Sequence, residues 1–116
     1  AGRQQAASLY DAALQDLPLQ IPARRAGAEH VFHQYTLQIA DRDALRTRLH
    51  AEGIACGVYY PIPCHQQQAF ADLPPSHCPV AESLKDKVLS LPMFPELSSA
   101  QVERIAGVIR AHLHGE

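Results

Sequence analysis

Val31-Phe32-His33-Gln34-Tyr35-Thr36-Leu37-Gln38-Ile39 is the stretch on which the fold class turns, because its residues divide by parity. Val31, His33, Tyr35, Leu37 and Ile39 fall on one side of an extended backbone and Phe32, Gln34, Thr36 and Gln38 on the other, so the period of two predicts a strand over 30–40 with one more apolar face. His33 then shares the core side with Val31 and Leu37 and reads as a hydrogen-bonded core histidine. Its sharper alternative is a contact to a ligand oxygen at the sheet edge, since imidazole can donate or accept near neutral pH.

Upstream, Ala6, Leu9, Tyr10, Ala13 and Leu17 recur at three- and four-residue steps and predict a helix that Pro18 stops. The stretch 18–28, with Pro22, Arg24, Arg25 and Gly27, reads as a loop. Downstream, Asp41 can cap a helix in which Leu45 and Leu49 stack one turn apart, and Gly53 suits the left-handed position after a last helical turn. Ile54 to Tyr60 is rich in strand formers and is halted by Pro61 and Pro63, which cannot donate to a sheet. A helical turn over 66–70, a helix opened by Pro79 and running to Lys87, and a third strand over 88–91 follow. Ser98 and Gln101 have capping-box spacing before a terminal helix whose buried stripe is Val102, Ile105, Ile109 and Leu113. The alternation predicts an α+β domain: a small, mostly antiparallel sheet of about three strands with helices packed on it.

With 116 residues and 47% hydrophobic composition, the chain has the size of one domain around one core. Ten basic residues against 12 acidic ones give no strong field for nucleic acid or an anionic membrane, so neither is an expected partner. No apolar run approaches the roughly 20 residues of a membrane-spanning helix, and a cytoplasmic setting is expected. Cys56, Cys64 and Cys78 are odd in number and lack CxxC spacing, so they read as reduced thiols. The chain starts at Ala1 and enters a helix-like pattern at once, which suggests a piece of a longer polypeptide.

The candidate chemistry falls in three places: His30, His33, Gln34 and Tyr35; Tyr59-Tyr60-Pro61-Ile62-Pro63-Cys64-His65; and the pairs Cys64-His65 and His77-Cys78. In a strand Tyr59 and Tyr60 point to opposite sides, so one of them faces a cleft, a partner or solvent. The proline-stiffened loop after them brings His65 near, and binding residues favour loops held by rigid elements. Cys64-His65 and His77-Cys78 supply zinc-type ligands, but adjacent residues in extended chain diverge and no metal is expected. A Cys-His nucleophile lacks an orienting third group. Asp72, Glu82, Asp86 and Glu96 read as solvated surface.

The segments His30 to Leu37, Arg42-Asp43-Ala44-Leu45, Gly53 to His65 and Leu89 to Ser98 occur in an order and spacing that resembles the DegT/DnrJ/EryC1/StrS sugar aminotransferases. Those are fold-type I enzymes that use pyridoxal phosphate (PLP), and the resemblance covers nearly the whole chain. It implies the C-terminal small domain of an enzyme that moves an amino group, usually from glutamate, onto a keto sugar carried by a nucleotide. Residues 1–28 would then be the linker helix and loop from the large domain and 29–116 the small domain, in a parent homodimer. PLP would be bound mainly by the large domain, because Lys85 and Lys87, the two lysines of the chain, do not match the family lysine that holds it. No catalytic residue is therefore expected here.

The same resemblance assigns substrate-binding positions to His33, Gln34, Tyr59, Tyr60 and His65. Tyr59 stands where many members carry histidine, and Tyr60 where they carry tyrosine. Gln34 with Tyr35 is similar to the subgroup acting on UDP-linked keto sugars or keto uronic acids. His65 matches the loop histidine, with support of the two tyrosines as open as direct contact. Apart from the resemblance, a free-standing small-molecule-binding α+β module fits the same residues.

Overall fold

Tyr35–Gln38 (β1) and Val88–Leu91 (β2) pair antiparallel, with Tyr35 opposite Leu91 and Leu37 opposite Leu89. The computed structural model describes residues 1–116. Around this two-stranded sheet lie the helices Gly2–Leu14 (α1), Arg42–Ala51 (α2), Pro79–Leu84 (α3) and Ser99–Leu113 (α4), with single 3-10 turns at Cys64–Gln66 and Gln68–Phe70. α4 packs on both α1 and α2, and one cluster of 18 buried residues joins these three helices to the sheet. Burial of Leu37, Leu45, Leu49, Leu89, Val102 and Ile109 supplies the main driving force.

Local signals set most element ends as expected. Ser98 Oγ accepts from the Gln101 N–H while Gln101 Oε1 accepts from the Ser98 N–H at 2.9 Å, a complete capping box. Gly53 has φ 71°, the Ile54 N–H donates to Leu49 O and the Gly53 N–H to His50 O, which closes α2 in a Schellman turn with Ile54 buried behind it. α1 stops at Leu14, short of Pro18, and its buried face is Ala6, Ala7, Tyr10 and Leu14, one residue round from the anticipated Leu9 and Ala13. α3 ends at Leu84 rather than Lys87, because the Lys87 N–H turns back to Leu84 O and the Lys87 carbonyl accepts from the Ile39 N–H.

Two departures matter for the site. The sheet has two strands and not three: the stretch 54–60 contributes a single bridge, Gly57 to Ser90, on the free edge of β2. A matching bridge from Gln20 to Gln38 caps the edge of β1. The second departure is at the start of β1, which begins at Tyr35, because Phe32 takes a left-handed φ of 49° and breaks the alternation. Phe32 is buried, whereas Val31 is 71% exposed and His33 lies on the surface, so His33 is not a core histidine. Stacking of His30 on Phe32 at 4.0 Å and of Arg24 over the same ring at 4.6 Å holds the kink.

Residues 55–87 contribute no buried side chain, while Tyr60, Ile62, Phe70, Leu73 and Val80 stand exposed along them. This arm raises the radius of gyration to 15.6 Å, above the roughly 13 Å of a compact chain of this length.

Candidate functional site

The kink at Phe32 turns His33 and Gln34 toward a cleft of about 400 Å³, also lined by Arg3, Cys56, Tyr59 and Ser90. Four segments meet there: the first turn of α1, the loop before β1, the 54–59 stretch and the end of β2. The Gly57–Ser90 bridge, with its N–H to O contacts at 2.8 and 3.0 Å, fixes the 54–59 stretch beside β2. Thr36 Oγ1 and Ser90 Oγ share a hydrogen bond of 2.7 Å across the strands. Tyr59 folds back over Gly57, so its phenol forms one wall of the cleft. Burial pushes the Cys56 thiol up, with Arg46 opposing, and the sulfur is held protonated at neutral pH. The cleft therefore offers hydrogen-bond donors and acceptors without a thiolate or a carboxylate, a composition suited to hydroxyl, amide and carbonyl groups.

Tyr59 is shared with a second, mainly apolar hollow of about 450 Å³ lined by Tyr60, Ile62, His65, Leu84 and Val88. The rings of Tyr59 and Tyr60 meet edge to face at 5.7 Å, on neighbouring sides and not on opposite faces of a strand. His65 is fixed by Glu82, whose Oε1 contacts His65 Nε2 at 2.8 Å and accepts from the Cys78 N–H at 3.0 Å, while Oε2 lies 3.3 Å from His77 Nδ1. The Cys78 N–H, the His65 bond and the charge of the two histidines together hold the Glu82 carboxyl below its ordinary value of 4.5. Glu82 is thus the hub of the arm and not a free surface acid. The two Cys-His pairs converge on this carboxylate through their histidines, and no group of three or more His, Cys, Asp or Glu side chains gathers as metal ligands.

The five candidate residues are therefore split between two adjoining hollows, with His33, Gln34 and Tyr59 in the polar one and Tyr59, Tyr60 and His65 in the apolar one. Sequence reasoning passed over Arg3, Ser90 and Glu82. Glu82 had a usable signal, its four-residue spacing from Cys78 at the start of a helix; Arg3 had none, because its partners lie 29 to 90 residues away. Lys85 borders the apolar hollow and Lys87 is exposed, both at the turn from α3 to β2 and neither in the polar cleft.

A sequence model of the DegT/DnrJ/EryC1/StrS aminotransferase family matches residues 1–110, and the chain belongs to that family. It is similar to a UDP-N-acetyl-3-dehydro-alpha-D-glucosamine 3-aminotransferase of Acidithiobacillus ferrooxidans, with 59% identity over 98% of this chain and 31% of that protein. Identity to the UDP-2-acetamido-2-deoxy-3-oxo-D-glucuronate aminotransferase of Pseudomonas aeruginosa is 33%, over 92% of this chain and 30% of that one. Among solved structures, a DegT DnrJ EryC1 StrS aminotransferase from Brucella abortus superposes with a TM-score of 0.88 at 39% identity, covering 97% of this chain and 30% of that one. The α+β architecture is that of these aminotransferases, and the chain spans about 30% of the length of the relatives it matches.

Proposed function

We propose that these residues form the sugar-binding C-terminal part of a PLP-dependent aminotransferase that transfers an amino group, from glutamate, to the keto group of a UDP-linked sugar. The convergence of His33, Gln34 and Tyr59 on one polar cleft carries this reading. Its groups are hydrogen-bonding side chains of the kind that read sugar hydroxyl and acetamido groups, with the Arg3 guanidinium beside them. The 59% identical relative named for a 3-dehydro N-acetylglucosamine supports a UDP-linked amino-sugar precursor with its ketone at C3.

PLP, when bound, supplies the electron sink for the amino transfer. The residues present do not fit a covalent PLP site, since both lysines lie at the turn after α3 and away from the polar cleft. The coenzyme is accordingly assigned to polypeptide outside these 116 residues, and no chemical step is assigned to this part by itself. The task of this chain is to bind and orient the sugar, with Tyr60 and His65 closing the adjoining side. The exposed apolar side chains of the 55–87 arm fit burial against the rest of a homodimeric enzyme. Three free cysteines agree with a cytoplasmic, reducing setting.

The test is amination of UDP-3-keto-N-acetylglucosamine by the full-length enzyme with glutamate and PLP, followed by mass spectrometry. His33→Ala and Gln34→Ala are expected to raise KM for the keto sugar. The 116 residues alone, given PLP, should show no stoichiometric absorbance of a lysine-bound coenzyme. Amination by the isolated chain, or a full-length enzyme inert toward every nucleotide-linked keto sugar, would overturn the reading.

A further inference from the structure

We infer that Arg3 is a positioning residue for the sugar cleft, acting through His33 and Gln34; this rests on the function proposed above. A single nitrogen, Arg3 Nη1, donates to three backbone carbonyls: Phe32 O at 3.0 Å, His33 O at 2.9 Å and Met93 O at 3.1 Å. Successive carbonyls of an extended strand point in opposite directions. Here those of Phe32 and His33 meet at one nitrogen, so the chain is bent where His33 leaves the strand. The left-handed φ of 49° at Phe32, which a side chain with a Cβ adopts only when its surroundings enforce it, marks the same bend.

The clamp has a consequence for which side His33 occupies. If 30–40 were extended throughout, parity would send His33 to the face of Leu37 and Ile39, which is core. The bend instead places it in the cleft beside Gln34. Three carbonyl oxygens drawn to one point need donors between them, and a guanidinium, always charged and rich in donors, supplies them. Met93 belongs to the turn after β2, so the same contact ties the His33-Gln34 loop to the strand that carries Ser90. Arg3 thus sets the width of the cleft while reaching it from α1.

The experiment compares Arg3→Met and Arg3→Lys in the full-length enzyme, alone and in a His33→Ala/Gln34→Ala background. Losing charged hydrogen bonds that hold a binding loop is expected to raise KM for the keto-sugar nucleotide about tenfold, with kcat changed by less than about threefold. Arg3→Lys should recover part of that loss. In the His33→Ala/Gln34→Ala background Arg3→Met should add less than about twofold, because its effect passes through side chains already removed. The same fold effect in both backgrounds, or a fall in kcat with unchanged KM, overturns the inference. A wild-type enzyme without activity on keto sugars overturns the functional reading instead; the clamp is then judged by the His33 ring NMR signal, which Arg3→Met must shift and which, if unmoved, rules the clamp out.

Discussion

The phenol of Tyr59 lies against the Cα of Gly57: a methyl group there would come within 2.8 Å of both Cζ and Oη of the tyrosine. Gly57 is also the residue that bridges to Ser90, so the absent side chain is what lets Tyr59 wall the cleft next to β2. Because Tyr59 is 50% exposed, its ring can swing away when crowded. Gly57→Ala is therefore expected to cost under about 1 kcal/mol of stability in urea unfolding, while weakening nucleotide-sugar binding roughly tenfold. Equal binding by the variant and the wild type in calorimetry would show that Tyr59 has no part in the site.

Removing the cap hydroxyl of α4 by Ser98→Ala should cost about 1 kcal/mol, since the Gln101 N–H loses its partner. Gly53→Ala should cost a similar amount, about 1 kcal/mol, for a different reason: the residue must hold φ 71° to close the Schellman turn. The two sites share no partner, so the double variant should lose the sum within about 0.5 kcal/mol. Denaturant titration of the three proteins checks both values.

Glu82 predicts an acid response confined to the arm. Its carboxyl lies below 4.5 in the folded chain, so the folded state favours the carboxylate more than the unfolded state does. The stabilisation is then fully present above the ordinary carboxylate range and is lost as pH falls through the lowered folded value. The hydrogen-exchange protection factors of 60–87, taken against the intrinsic rate at each pH, should stay unchanged from pH 7 down to about 5 and fall below about 4. Glu82→Gln should make the arm labile already at neutral pH. An arm equally protected in Glu82→Gln would remove Glu82 from this role.

Tyr35 predicts an alkaline limit. Its hydroxyl donates to Asp11 Oδ1 at 2.9 Å, and burial first, then that bond and the Asp11 charge, push the phenol far above its ordinary 10.0. Tyr10, which donates to Pro92 O at 2.9 Å, is pushed the same way by burial. Both phenols are neutral in either state below about pH 10, so stability should be flat there and fall above it, where only the unfolded chain ionises. Tyr35→Phe should cost about 1 kcal/mol at neutral pH and soften that alkaline fall. Circular dichroism melts between pH 8 and 11 separate the two effects.

Much of this architecture is local and could be read along the chain. The Ser98-Gln101 spacing, Gly53 after Leu49, Pro79 opening α3, and the 35–39 alternation each express a preference satisfied within one or two turns of backbone. Neighbouring residues carry the energy of such features, so order and spacing sufficed for the α+β class and for the family likeness. The proposed site residues also sit in two short stretches, which the family likeness singles out.

Tertiary contact alone decided which way those members point. His33 left the core side because Phe32, pinned between His30 and Arg24, and Arg3 from another helix bend a stretch whose own pattern asks for continuous strand. Residues 54–60 look like a strand and make one bridge, because the ring of Tyr59 and the prolines that follow leave the edge of β2 without a ladder. Glu82 became a hub through His65, 17 residues upstream. Local preference is a matter of backbone torsion and nearby donors and is written in sequence order; a contact across tens of residues depends on where the packed helices and sheet bring distant side chains, and that placement exists only in the folded chain.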